Sequence, residues 1–192
     1  MAHAAGSSPN DVPSLSRSIL IGAFGFCLVS LIVFATVAFA ERWMYTNLGL
    51  TGAYIAWTAL FILLGGAVLG SLVVGRWRNP RFFLIFGIAF FVYAAGWVAA
   101  YFTLRSAAGE WSGSLVGSIL MAVVFAVAFR AFRQILKLSL LLFVTNSLGY
   151  FLASALNEFL HGRPGMLAWG IIYGFFVGAG IGAVLHFVQQ RE

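Results

Sequence analysis

Charge is what this sequence has least of. Only 8% of its 192 residues are Asp, Glu, Lys or Arg, while 62% are hydrophobic. An average soluble domain is about a quarter charged and about half apolar. So little polar sequence cannot clothe that much apolar surface in water, so lipid is the expected solvent for most of the chain. No stretch is polar enough for a soluble second domain. Cysteine is confined to Cys27, which excludes an intramolecular disulfide and paired-thiol redox chemistry. Inside an apolar stretch, a lone thiol serves as a small hydrophobe. Glycine-rich phosphate loops are missing. Inside the apolar segments acids and lysines are missing too, apart from boundary residues such as Glu158. That argues against an ion-coupled pump, which keeps such groups within its bundle.

What is there is a series of long apolar runs. Six segments, 18–40, 50–74, 81–104, 112–131, 136–159 and 167–189, reach the roughly 20 residues that a helix needs to cross a bilayer. They lack the alternation of barrel strands. The predicted fold is all-α: one bundle of six transmembrane helices spanning 18–192, preceded by a disordered tail over residues 1–17, which are small, polar and proline-containing. Ala38-Phe39-Ala40 imitates a signal cleavage site, but the run before it is too long for a signal peptide. The boundary between the fourth and fifth segments is the least marked, because Arg130 and Arg133 fit a continuous helical pattern. Trp43, Trp77, Trp111 and Trp169 stand near segment ends, as an interfacial belt requires. A repeated Gly-Ala-Val-Leu, at 66–69 and 182–185, joins segments two and six, which no three-plus-three repeat would pair.

Orientation follows from the basic residues. Arg17, Arg76, Arg78, Arg81, Arg130, Arg133, Lys137 and Arg191 fall on one side, and Arg42, Arg105 and Arg163 on the other. Both termini are therefore expected in the cytoplasm of a bacterial inner (plasma) membrane. Glu41, Glu110 and Glu158 cancel the outer arginines, which leaves the whole net charge of +6 inside. This predicts contact with the lipid bilayer, including anionic headgroups on the cytoplasmic face, and gives no support to nucleic-acid binding.

Four groups of residues are candidates for function. Gly170, Gly174, Gly178 and Gly182 recur every four residues in the last segment, with His186 continuing the row. In lipid, small residues let helices approach closely, so this row predicts helix packing, either within the chain or against a homo-oligomer mate or partner subunit. Asn146, Tyr150, Ala153, Asn157 and His161 share one face of the fifth segment. They form a polar stripe from the midplane outward that reads as interhelical hydrogen bonding or as the wall of a ligand-binding path. Asn146 is costly at the midplane and needs a partner or a cavity. The glycines are expected to bring the last helix against Asn146 and Tyr150. Glu41, Glu110, Glu158 and His161 form an outer rim, each acid expected to pair with the arginine of its own loop. Their spacing matches no metal motif, so neither a metal nor a cofactor is expected.

Six helices with internal termini, a serine opening the fourth segment (Trp111-Ser112-Gly113) and glycines in the sixth resemble rhomboid intramembrane proteases. That family's Gly-x-Ser-Gly needs glycine where Glu110 stands. Its catalytic histidine lies inside the sixth helix, whereas His161 precedes it, and the second segment offers no histidine or asparagine for an oxyanion site. The size and topology are also similar to the small six-helix substrate-binding subunits of vitamin transporters. The expectation is a non-enzymatic transport or binding component for a small, weakly polar solute. The alternative is an assembly subunit docking through the glycine row, and the protease is a remote third.

Overall fold

The structure is a computed structural model, described here over residues 12–75 and 80–190. Most of the expected tail, Asp11, the loop residues Arg76, Trp77, Arg78 and Asn79, and the terminal Arg191 and Glu192 lie outside the described residues.

The described chain is helical throughout: α1 (Leu15–Gly70), α2 (Arg81–Leu104), α3 (Ser106–Phe129), α4 (Ile135–Leu160) and α5 (Gly162–Gln189), with a short 3-10 turn, Phe132–Gln134, ahead of α4. All five α-helices are long and apolar enough to cross a membrane. The sequence predicts six separate helices. The first two segments both lie within α1, which is two helices meeting at a kink; the first of them continues past the expected end because Glu41 and Arg42 do not interrupt the backbone ladder. The break falls later, at Gly49, whose φ of 69° and ψ of 176° leave the helical region.

The two arms of α1 fold back on each other. Phe26 stacks on Phe61 with centroids 5.9 Å apart, Phe34 meets Phe61 edge-on at 6.3 Å, and Tyr45 meets Trp57 at 5.8 Å. Val33, Met44, Ala53 and Trp57 form a buried cluster between the arms.

Other ends also differ from the hydropathy boundaries. The helix begins at Leu15, capped by the Ser14 hydroxyl, which accepts from the Arg17 amide at 3.4 Å. The polar stretch 105–110 and the turn after Glu158 are mostly helical, since α3 starts at Ser106 and α5 at Gly162. Each of the two turns is closed by a pair of residues with positive φ, Arg105 at 52° with Ser106 at 51°, and His161 at 51° with Gly162 at 58°. Helices keep their backbone hydrogen bonds past the hydrocarbon edge, so hydropathy marks the lipid boundary and not the helix end. The ambiguous fourth boundary is a clean stop: Arg130 takes a left-handed conformation, φ 61°, and ends α3.

α5 is the central helix. Of its most apolar stretch 56% is buried, against 22% for α2. It lies along α1 on one side and α4 on the other, while α2 pairs with α3 and α3 with α4. Phe26, Phe82, Phe86, Phe125, Leu69, Ile181 and Leu185 fill the interior. Phe24, Leu50, Leu84, Phe91 and Leu136 point outward and are mostly exposed. An apolar exterior of this extent belongs in lipid.

Candidate functional site

Asn146 stands in mid-α4, only 4% exposed. Its Oδ1 accepts the Tyr93 hydroxyl of α2 at 2.7 Å and lies 3.3 Å from the Tyr173 hydroxyl of α5. The two phenols are 2.8 Å apart. A phenol has one proton, and that of Tyr93 goes to Asn146, so Tyr173 donates in the phenol pair. On its other side, Asn146 Nδ2 donates to Ser114 Oγ of α3 at 2.8 Å, and the Ser114 and Ser147 hydroxyls are 2.7 Å apart. One uncharged network thus ties α2, α3, α4 and α5 together.

Bare backbone makes room for it. Tyr93 lies over Gly117, where a Cβ would fall 2.8 Å from its ring. A Cβ at Gly149 would sit 3.3 Å from the Tyr173 carbonyl. The Thr145 side chain lodges against Gly180, where a Cβ would displace it. Beside the network is a cavity of about 20 Å³, bordered by Tyr93, Ser118, Thr145, Asn146 and Tyr173 and by apolar residues such as Phe26, Phe90 and Met121, with only apolar atoms on its open wall. Ser118 is 1% exposed, and its hydroxyl has no hydrogen-bond partner.

The remaining stripe residues do not extend this centre into an open polar path. Tyr150 faces inward, but its hydroxyl reaches Glu110 Oε1 at 3.2 Å and not Asn146. Between the Glu110 end and the centre lies a column of rings: Trp97 to Tyr150 at 5.6 Å, Tyr150 to Trp169 at 6.1 Å, and Trp169 to Tyr173 at 4.6 Å. Asn157 is half-buried against Gly165, and His161 is exposed at the α4–α5 turn with Nδ1 3.2 Å from the Phe159 carbonyl. The face that the helical period defines is therefore real at Asn146 and Tyr150 and ends where the turn begins.

The rim residues also part company. Glu41 and Glu158 are exposed, while Glu110 is held by Tyr150. The Arg163 guanidinium lies 5.1 Å over the Phe39 ring. Among the described residues, no three His, Cys, Asp or Glu side chains gather to hold a metal ion, and no hydrogen bond joins Ser112 to His161. Trp169 is partly buried; it packs on Phe34 at 4.7 Å and donates to Ser154 at 3.4 Å.

The glycine row faces α1, not Asn146. A Cβ at Gly170 would meet Phe34, one at Gly174 would fall 2.9 Å from the Phe26 carbonyl, and Gly178 and Gly182 rest on the backbone of Gly22 and Ser18. The expectation that the row brings α5 against Asn146 and Tyr150 is overturned. Helix α5 reaches Asn146 through Tyr173, on a different face. The row is also covered by its own chain.

At the other end of α5 is a second polar cluster. The His186 Nδ1 lies 2.8 Å from the Pro13 carbonyl and its Nε2 2.7 Å from Gln190 Nε2. An amide nitrogen only donates, so Nε2 accepts and the Nδ1 proton goes to Pro13. Gln189 donates to the Leu72 carbonyl at 3.1 Å and accepts the Val74 amide at 2.8 Å. Both ends of α1 are thus tied to the last turns of α5.

Sequence reasoning found Asn146 but missed Tyr93, Tyr173, Ser114 and Ser118 as its surroundings. The available signals were a tyrosine in the middle of each of two apolar runs and the four-residue spacing Ser114/Ser118. No protein-family model, curated protein or solved structure matches the chain.

Proposed function

We propose that the chain is an integral membrane protein of six crossings that binds, and passes on, a small uncharged solute at the centre built around Asn146. The crossing count takes α1 as two antiparallel spans. It is supported by the contacts of Pro13 and of Leu72 and Val74 with the same end of α5, which put the start and finish of α1 together. Even crossings, with the basic residues gathered at that end, favour cytoplasmic termini and a bacterial inner membrane. Exposed Arg17 and Arg130 are then available to anionic headgroups.

The observation that carries the solute reading is a set of neutral donors and acceptors from four helices beside a cavity, with Ser118 unpartnered at its wall. Binding sites of this kind are mostly apolar with a few convergent polar groups. No ionised side chain lies in the network or the cavity lining, so an uncharged ligand is favoured. No nucleophile–base pair stands there either, and the role is read as non-enzymatic. The aromatic column makes this a closed form, and movement of Trp169 and Tyr150 would open it outward.

The test is a thermal-shift screen of small hydroxyl and amide compounds against the full chain in mild detergent, with Asn146→Leu in parallel. A compound that raises the melting point of the wild type and leaves that of the folded variant unmoved supports the reading. Equal shifts in both, or none in either, reject it.

A further inference from the structure

Two side-chain bridges join α3 to α4, one helical turn apart. The inner bridge, from Asn146 Nδ2 to Ser114 Oγ, is 2.8 Å long. The outer bridge runs from the Tyr150 hydroxyl to Glu110 Oε1 at 3.2 Å. Tyr150 follows Asn146 by four residues and Glu110 precedes Ser114 by four, so the antiparallel helices set one bridge above the other. Their surroundings differ. Ser114 and Asn146 are 0% and 4% exposed, whereas Glu110 and Tyr150 are half-buried. Water can take over a hydrogen bond at a half-exposed carboxyl group but cannot reach an enclosed one. The outer bridge is therefore the one that can open.

What it holds is the middle ring of the aromatic column. Tyr150 touches Trp97 of α2 at 5.6 Å and meets Trp169 of α5 edge-on at 6.1 Å. Both tryptophans have their own supports. Trp97 lies against bare backbone at Gly113, where a Cβ would fall 3.2 Å from its ring, and Trp169 donates to Ser154. Along α5, Trp169, Tyr173 and Val177 follow at four-residue steps, and the last two border the cavity beside Asn146. The line of contacts from Glu110 to that cavity thus passes through Tyr150.

We propose that Tyr150 is a gate on the Glu110 side of the Asn146 centre and that its hydrogen bond to Glu110 is the latch. With the bond made, the ring stays between Trp97 and Trp169. With it broken, the phenol has no anchor on α3 and turns to another staggered side-chain position, which parts the column above Tyr173. The gate rests on the solute reading for its use, but access to the cavity is measurable without any solute.

The experiment is thiol labelling just beneath the column: Val177→Cys in a Cys27→Ala background, treated with methyl methanethiosulfonate as the full chain in lipid nanodiscs, with the rate of mass gain as readout. Val177 is 8% exposed, so labelling with the latch intact is expected to be slow. Glu110→Ala and Tyr150→Phe are each expected to speed it about tenfold, the order of one hydrogen bond to a carboxyl group. Together they are expected to speed it no further, because both remove the same bond. Tyr150→Phe keeps the ring and deletes only its hydroxyl. An unchanged rate in either single variant overturns the latch, and so do effects that multiply in the double variant. Val184→Cys, at a 0% exposed position two turns further along α5, reports loosening of the whole bundle, and an equal acceleration there overturns the proposal too. Faster labelling at position 177 alone, with no compound shifting the melt, keeps the gate and ends the solute reading. Unchanged labelling with a compound that does shift the melt ends the latch and leaves the solute reading standing.

Discussion

Asn146 shows how far one residue can be read from sequence. A side-chain amide in mid-membrane must find partners, since lipid offers none, and that requirement is visible in the letters alone. Its partners are not. Tyr93 and Tyr173 look like any aromatic in an apolar run until packing turns them inward, and Gly117 and Gly149, which admit them, carry no label of their own. The glycine row was legible as a packing surface, yet its partner was not, because four-residue spacing describes one helix and is silent about its neighbour. The structure makes that row unequal to other glycines. Gly178→Ala drives a methyl into the Gly22 carbonyl and is expected to cost about 1–3 kcal/mol, as overpacking does. For a chain of this size that is about 2–4 °C of melting temperature per kcal/mol. Gly87→Ala meets Ile62 at an ordinary 3.5 Å, so it is expected to be neutral or to gain up to about 1 kcal/mol from helix propensity. Thermal melts of the two variants in one detergent decide the matter, and equal losses would contradict the assignment.

Among the elements, hydropathy located every apolar run and misplaced several ends. Arg105–Glu110 and the residues after His161 are polar because they lie near the headgroups, and helical because nothing in them stops the backbone ladder. The true stops are conformational: Gly49, Arg105, Arg130 and His161, with positive φ. Gly49 combines that φ with an extended ψ, a region reserved for glycine. Gly49→Ala is therefore expected to destabilise by about 1–3 kcal/mol, although a Cβ there meets nothing within 4 Å. A melt indistinguishable from wild type would show that the hairpin turn is not held in this conformation. At the far end, His186 and Gln189 fasten α1. His186→Ala removes the bond to Pro13 and is expected to speed amide exchange in the first turn of α1, Leu15 to Ser18, by about tenfold, with mid-α5 unchanged. Hydrogen-exchange mass spectrometry reads both regions in one sample.

For the molecule as a whole, the proposed six crossings and internal termini make a prediction that ignores the solute altogether. In a Cys27→Ala background, cysteine at Asn47 should react with an impermeant maleimide added to intact cells, and cysteine at Gln190 only after the membrane is opened. Labelling of both from outside would mean that α1 crosses once, and labelling at Gln190 alone that the orientation is reversed. What composition made plain at this scale was the apolar solvent and the helical class. It could not show that the polar stripe is closed off by Trp97, Tyr150 and Trp169, because whether rings stack across helices depends on the packing of α2, α4 and α5. The central claim is that the neutral centre at Asn146 binds an uncharged solute. Native mass spectrometry of the full chain, released from mild detergent after exposure to a neutral small-molecule extract, addresses it most directly. The account predicts a discrete adduct of low mass on the wild type that is absent from folded Asn146→Leu. A wild type that flies bare, or an adduct retained by the variant, would contradict it.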